Sequence, residues 1–376
     1  MHRYEIRGAV RSDEDGLLEV ATHLDTVNLP AVREEIRGIL DASERSFTGE
    51  IEDTRRHQYV FVLVDRLAGT EGQTVEKIIG TSMILSQLGR RDAPYIFVDV
   101  LEDERYSSTL DRHFHHTLLK VGYSYDGPTE IGGLILLPEY RRERLGQFIS
   151  YVRFAYLKMH RGRFQDEILA ELLPPLEADG TSLLWEAIGK HFTGMTYPEA
   201  DLLSKKNKEF IKGLFPETPI HTSLLSKEAQ AVIGKVGPRT RGVEKMLRRI
   251  GFRYVDRVDP FDGGPHFVAD TDDITLVDDA RKVIVTGDHS GKEPGSEDGL
   301  EIYRALFAVE LPDAPYFRSV LGTAEDSSPA PPRPSARDLG RGSVRQLVSS
   351  SVRIDPSTRA HLGLEDGQPV WMLPVD

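Results

Sequence analysis

The sequence predicts an α/β chain of the α+β kind: a mixed, mostly antiparallel sheet flanked by helices, with additional C-terminal elements. Three observations carry this. Gln58 to Asp65 (QYVFVLVD) and Lys77 to Leu88 (KIIGTSMILSQL) are apolar, β-branched runs separated by a polar stretch with Gly69 and Gly72, the pattern of an antiparallel hairpin with a long loop. Residues 129–160 read as a buried strand, a basic turn and an amphipathic helix. Strand-like and helical runs then intermingle along the first two hundred residues, as a mixed domain of ordinary size requires.

The elements follow in order. Arg3 to Arg7 alternates like a short strand, and Ser12 and Asp13 are placed to cap a helix running to about His23. A polar loop, 23–30, ends at Pro30, and a second helical pattern covers 31–43. After the hairpin, Pro94 to Val100 (PYIFVDV) is a third strand. The segment 106–121 carries His113, His115 and His116 inside a helical pattern. No carboxylate set accompanies them at metal-ligand spacing, so no metal is expected.

The central strand is Ile131 to Leu137, stopped by Pro138, which donates no ladder hydrogen bond. The turn holds Arg141, Arg142, Arg144 and Gly146. The helix sets Leu145, Phe148, Ile149, Val152, Tyr156 and Met159 on one face. A helix start leaves backbone N–H groups unsatisfied at its positive end, and glycine lets an anion come close. With three arginines beside it, this turn suits a polyphosphate.

Asp166 to Leu172 is another strand, 182–192 an amphipathic helix, and 197–250 mainly helices and loops, with helical patterns at 229–233 and 242–249. Phe252 to Val258 is strand-like, 261–267 (FDGGPHF) is turn-rich, and Arg281 to Thr286 is strand-like. Composition turns to Gly, Pro, Ser and charge at 287–299 and 323–343. The stretch 327–343 is the best linker, and 344–376 ends in short alternating runs.

Bulk properties narrow the function. A chain of 376 residues can bury a sizeable core. A net charge of −13 argues against a general nucleic-acid or membrane-surface binder. The absence of cysteine excludes disulfides, thiolate metal sites and cysteine nucleophiles. No run is long enough to span a bilayer and MHRYEIRGAV has no apolar signal region, so cytoplasm is the expected location.

The stretch LILLPEYRRERLGQFISYVRF, 134–154, resembles the arginine N-succinyltransferase family, in which an apolar strand leads into a Pro–x–aromatic–Arg–Lys/Arg turn, a glycine and a helix ending in Arg–Phe. Further pieces match in the same order: YVFVLVD at 59–65, WEAIGKHF at 185–192, FIKGLFPETPIHTSLLS at 210–226, EAQAVIGKV at 228–236 and GFRY to FDGGP at 251–265. The resemblance implies a GNAT-like acyl-CoA N-acyltransferase fold and succinyl transfer from succinyl-CoA, or another acyl-CoA, to the α-amino group of arginine. It implies no permanently bound cofactor, and a homo- or hetero-oligomer. The expected organisation is a GNAT-like acyl-CoA-binding domain at 1–200, a family-specific second half at 201–326, the linker, and a small β segment at 344–376.

The resemblance also distributes roles. Leu134, Leu136, Arg141, Arg142, Arg144, Gly146 and Gln147 would bind the acyl-CoA. Backbone N–H groups of 141–147 would hold its pyrophosphate, and the strand at Leu134 would meet its pantetheine arm. Glu171, at the end of a strand, and Glu130, at the start of the central one, are the candidates for contacting and deprotonating the amine. Asn28, His191 and His221 are candidates for binding the substrate, and His266, like His221, sits in a matched motif.

Three departures stand out. The family histidine before a proline, its presumed proton donor, is Gly237 here. Its arginine in Ala–Glu–Met–Arg–Gly is Leu173, within 170–174. The Thr–Ser of its Thr–Ser–Leu–Pro is Val27-Asn28. Three readings follow: an active arginine N-succinyltransferase, an acyltransferase of changed substrate, or a catalytically weak subunit that pairs with an active paralogue.

Overall fold

The computed structural model describes residues 2–23, 29–68, 74–91, 93–204, 209–289, 302–327 and 351–375. Its strands are β1 (Tyr4–Gly8), β2 (Gln58–Ala68), β3 (Thr74–Leu85), β4 (Tyr95–Ser107), β5 (Arg112–Ser124), β6 (Thr129–Leu136), β7 (Glu167–Glu171), β8 (Ile220–His221), β9 (Arg253–Val258), β10 (Pro265–Asp270), β11 (Arg281–Asp288), β12 (Ile302–Glu310), β13 (Phe317–Asp326), β14 (Ser351–Ile354) and β15 (Pro369–Pro374). They join one sheet in the order β12-β15-β11-β14-β13-β1-β2-β3-β6-β7-β10-β9-β4-β5-β8. All its pairings are antiparallel except β6 with β7 and β11 with β14.

The helices are α1 (Glu14–Ala21), α2 (Arg33–Phe47), α3 (Leu145–Met159), α4 (Lys190–Thr193), α5 (Tyr197–Ser204), α6 (Glu209–Leu214), α7 (Lys227–Val232), α8 (Arg241–Arg249), α9 (Thr275–Asp279) and α10 (Pro356–Leu362). Leu17 of α1, Ile36 and Leu40 of α2, and Phe148, Val152 and Tyr156 of α3 are buried in one core with Phe61, Ile135 and Phe267 of the sheet. The spacing that made α3 legible also sets its buried stripe, which extends almost around the helix. A π-turn at Trp185–Gly189 leads into α4 and seats Trp185 in a second core with Phe215, Val258 and Phe261.

The C-terminal strands curl into a small barrel. β12 pairs with both β13 and β15, β15 with β11, β11 with β14, and β14 with β13, so five strands close on themselves. Val283, Phe307, Val320, Val352 and Met372 fill the interior. β13 also pairs with β1, which ties the barrel to the central sheet.

Four expectations change here. The helical pattern at 106–121 is instead the tip of a long hairpin, β4 with β5, turned at Asp111, whose φ is +47°. His113 and His115 are exposed on it, and His113 Nδ1 lies 2.8 Å from a Glu104 carboxylate oxygen. Alternating aromatic and β-branched side chains favoured the strand over the helix. Within the turn-rich 261–267, Pro265 opens β10, a buried strand. β12 and β13 had no counterpart in the pattern reading, and β13 occupies 323–326 at the start of the second Gly/Pro/Ser-rich stretch. The linker from 328 onward lies outside the described residues.

Candidate active site

The site begins where two parallel strands part. β6 and β7 pair at Thr129↔Ile168 and Glu130↔Leu169, and the ladder goes no further. Just beyond, β6 bulges: its register on β3 steps from Met83↔Gly132 to Thr81↔Ile135, one residue more on β6 than on β3. Gly133 makes this possible. Its φ is +54°, and a Cβ there would sit 2.6 Å from Met83 Sδ. A bulge bends its strand, and here it accompanies the parting of β6 from β7. Beneath it lies the buried Arg153 of α3, its Nη1 3.4 Å from Gly132 O and its Nη2 2.7 Å from Ser150 Oγ. Burial alone pulls this guanidinium down to about 9, so it stays a cation at neutral pH.

At the mouth of the cleft is the basic turn. Pro138–Tyr140 makes a short turn, Glu143 and Arg144 both adopt left-handed backbone (φ +56° and +58°), and α3 begins at Leu145. Gln147 and Phe148 donate to Arg144 O at 2.9 and 3.1 Å. Gly146 sits in the first helical turn, where an N–H has no acceptor four residues back within the helix. A Cβ on it would meet only Leu136, at 3.8 Å, so the space above it is open to a ligand. Arg141 and Arg142 are exposed, and Arg141 Nε also donates to Leu136 O at 3.1 Å. Leu134 and Gln147 are half-buried, and Leu136 is buried. The turn is anchored from below: Tyr140 donates to the buried Asp65, which Arg3 clamps with two bonds of 2.8 and 2.9 Å. The Arg3 hydrogen bonds hold the Asp65 carboxyl below its usual range, outweighing its burial. The loop therefore offers cations and the Gly146 N–H on a fixed base; the expected cradle of N–H groups across 141–147 is reduced, because those of Arg141, Arg142, Leu145 and Gln147 already donate to Pro138 O, Tyr140 O, Arg142 O and Arg144 O.

At the other end of the cleft the sheet gathers acid. Register puts Glu130 beside Leu169, Val268 beside Leu169, and His266 beside Glu171, so Glu130, Glu171 and His266 share one face. Glu130 and His266 are buried and Glu171 is half-buried. His266 Nε2 lies 3.4 Å from Glu171 Oε1, and its Nδ1 lies 2.8 Å from Tyr95 Oη. Asp259, in the turn after β9, accepts from the N–H groups of Phe261 and Asp262 at 2.7 and 3.3 Å. Asp262 is buried, and that burial together with Asp259 pushes its carboxyl well above the usual range. Among the described residues, ligand atoms of Glu171, Asp259 and His266 lie within 4.8 Å of one another. Two carboxylates and an imidazole could hold a divalent cation, or the ammonium or guanidinium of a substrate.

Gly237 stands against this end. A Cβ there would lie 2.5 Å from Pro174 O and 2.9 Å from Leu173 O, both backbone atoms, and its N–H donates to Leu173 O at 2.8 Å. Two of the three sequence departures therefore touch: the main chain at Leu173–Pro174 occupies the space that any side chain at 237 would need.

The remaining candidates are scattered. His191 is exposed on α4. His221 lies on β8, five strands from β7, roughly 20–25 Å away at ordinary strand spacing. Its ring meets His116 edge-on. Asn28 lies outside the described residues. Tyr95 and Asp259 were not anticipated. Nothing local in sequence marks them, because they reach Glu171 only through strand pairing and a turn.

A sheet whose parallel strands part at a bulge, with a basic loop and helix start at the mouth of the gap, defines a GNAT-like acyl-CoA N-acyltransferase fold. Comparison with known proteins narrows the class. The family model described as "Arginine N-succinyltransferase beta subunit" matches residues 4–276. The Yersinia enterocolitica protein named arginine N-succinyltransferase is 33% identical over 286 residues, 74% of this chain and 80% of that one. The Pseudomonas aeruginosa arginine N-succinyltransferase subunit beta is 32% identical over 283 residues, again 74% and 80%. The chain belongs to the arginine N-succinyltransferase family. The solved structure of arginine/ornithine succinyltransferase subunit AI from Pseudomonas aeruginosa matches the whole of both chains with a TM-score of 0.76 at 24% identity, a likeness of fold.

Proposed function

We propose that the protein transfers succinyl from succinyl-CoA to the α-amino group of arginine. Membership of the family supports this, and one observation carries it: the β6–β7 gap has an arginine-bearing loop and helix start at one end and the half-buried carboxylates of Glu171 and Asp259 beside buried His266 at the other. The exposed Arg141 and Arg142, with Arg144 and the N–H at Gly146, suit the CoA pyrophosphate, while the Gln147 N–H is spent on Arg144 O and leaves that residue its side chain. The bulged strand at Leu134 and Leu136 would accompany the pantetheine arm. Glu171, with Glu130 deeper on the same face, suits the cationic amine. Orientation of amine and thioester can itself supply roughly 7–11 kcal/mol in the best cases, and a general base about 10²- to 10⁴-fold.

Among the described residues no helix is long and apolar enough to cross a membrane, and we place the reaction in the cytoplasm. The protein works as an oligomer in this reading. The β4–β5 hairpin leaves Tyr106, Leu110 and Phe114 exposed, and Leu224 beside it is 82% exposed.

The test is thiol release from succinyl-CoA by the purified full chain with arginine, then with a panel of other amines. Arginine-dependent release supports the reading. Release with another amine alone would move the substrate, and none with any amine would defeat it. The packing of Gly237 favours one second reading, in which this chain is the weak partner of an active paralogue. Activity that appears only on adding that paralogue would establish it.

A further inference from the structure

The acidic end of the cleft holds a chain of contacts that substrate binding alone does not require. Tyr95, His266 and Glu171 come from β4, β10 and β7 and lie in line: Oη to Nδ1 at 2.8 Å, Nε2 to Oε1 at 3.4 Å. The Tyr95 and His266 rings are near parallel, with centroids 5.9 Å apart, and both residues are buried. Burial, with Glu171 nearby, pushes the Tyr95 phenol far above its usual range, so it keeps a proton to donate. With the phenol as donor, His266 Nδ1 accepts, and the imidazole then carries its proton on Nε2, toward Glu171. The 3.4 Å separation is longer than a formed hydrogen bond, as such contacts are before substrate draws a site together.

We infer that Glu171 takes the proton from the substrate amine and that His266, oriented by Tyr95, is the positioning residue that aims the Glu171 carboxylate. This rests on the acyl-transfer reading above. The balance is simple. The substrate ammonium gives one proton to Glu171, and the freed nitrogen attacks the thioester carbonyl. The C–N bond forms, the C–S bond breaks, a second nitrogen proton goes to the leaving sulfur, and Glu171 returns its proton to water. The groups that face this carboxylate are Asp259 and the buried Asp262 from the β9–β10 turn, Glu130 from β6, Tyr95 from β4 and His266 from β10. Arg257 of β9 and Asp201 of α5 lie further out, acting on Tyr95 and Asp262 respectively. Burial and the neighbouring Asp259 favour the protonated form of Asp262, which tempers its charge.

The experiment compares pH profiles of kcat/KM for the full chain and for Glu171→Gln, His266→Gln and Tyr95→Phe, alongside succinyl-CoA affinity by calorimetry and ¹⁵N spectra of ring-labelled histidine. Glu171→Gln is expected to lose about 10²- to 10⁴-fold in kcat/KM with unchanged succinyl-CoA affinity. His266→Gln keeps an N–H near the position of Nε2. It should retain part of the activity and move the acid limb of the profile, and Tyr95→Phe should move both that limb and the Nδ1 resonance of His266. A wild-type profile in His266→Gln overturns the positioning role and leaves the acyl-transfer reading standing. Wild-type turnover in Glu171→Gln overturns the base. If the parent chain turns over no amine, the acyl-transfer reading fails, and an Nδ1 resonance unmoved by Tyr95→Phe then overturns the relay as well. Activity abolished by a chelator and restored by a divalent metal would give the three ligand atoms to a cation and overturn the inference.

Discussion

Replacing Gly237 by alanine asks what the missing side chain is worth. The new Cβ would lie 2.5 Å from Pro174 O and 2.9 Å from Leu173 O. Neither atom is the end of a flexible side chain, so the main chain must move. Overpacking of this kind costs typically about 1–3 kcal/mol. The movement also stretches the Gly237 N–H bond to Leu173 O, now 2.8 Å, and the Thr240 Oγ1 bond to the same oxygen, now 3.0 Å. Losing the better of them adds about 1 kcal/mol. The expected destabilisation is about 2–4 kcal/mol. Urea unfolding would read it as a lower midpoint at unchanged slope. Because Leu173 follows Glu171 by two residues, kcat/KM should fall in Gly237→Ala even under conditions where the variant is fully folded. Gly237→His should be worse on both counts. Gly237→Ala with the parent's midpoint, or Gly237→His with faster thiol release, would refute the packing account and restore the histidine position as an open catalytic seat.

Three further outcomes are expected. Arg142→Ala should weaken succinyl-CoA binding about tenfold or more by calorimetry, as loss of a charge-assisted contact does, and Arg141→Ala combined with it should weaken binding further; unchanged affinity would displace the cofactor from this loop. Asp355 caps α10 and accepts from Thr358 and Thr323 N–H groups at 2.8 and 2.9 Å; burial opposes its ionisation, but hydrogen bonds led by Ser357 win and hold its carboxyl at about 2. A depressed carboxyl stabilises the fold above its unfolded value and loses that contribution as pH falls toward the folded one, so stability should drop between about pH 4 and 2 in the parent and more weakly in Asp355→Asn; identical acid unfolding curves would remove the role. Leu110→Glu with Phe114→Glu should reduce the mass measured by light scattering if the hairpin tip is an oligomer contact, and an unchanged mass would clear that surface.

How much was legible depended on how local the signal was. The β6–turn–α3 unit was readable because a continuous apolar run, a proline, three arginines and a helical stripe lie within thirty residues. β2 and β3 were readable for the same reason. The first half of β4 was readable from PYIFVDV, but its end and β5, within 106–121, carry HFHH and the SSTLD turn, which mimic helical spacing. β12, ALFA flanked by charge, is buried on both faces, where periodicity cannot separate strand from helix. In the site, Glu130 and Glu171 were marked by their place at strand ends. Tyr95 lies 171 residues from His266 in sequence, and only the pairing of β7 with β10 and the packing of β4 bring the chain of contacts together. The arginines of the turn were legible as an anion site from the residues themselves, whereas Asn28 came from resemblance, which names residues without giving their distances.

The closure of the C-terminal barrel has a consequence for association. A sheet of fifteen strands has two ends, and an unpaired strand at either is a template for another chain. At one end β12 turns back onto β13, so its second row of backbone groups is spent inside the molecule. At the other end β5 is thirteen residues long, and among the described residues β8 covers only Leu118 and Leu119. Among those residues, strand addition therefore has its opening at the hairpin end, and charged side chains such as Arg112 and Lys120 along β5 stand as its guard against uncontrolled pairing.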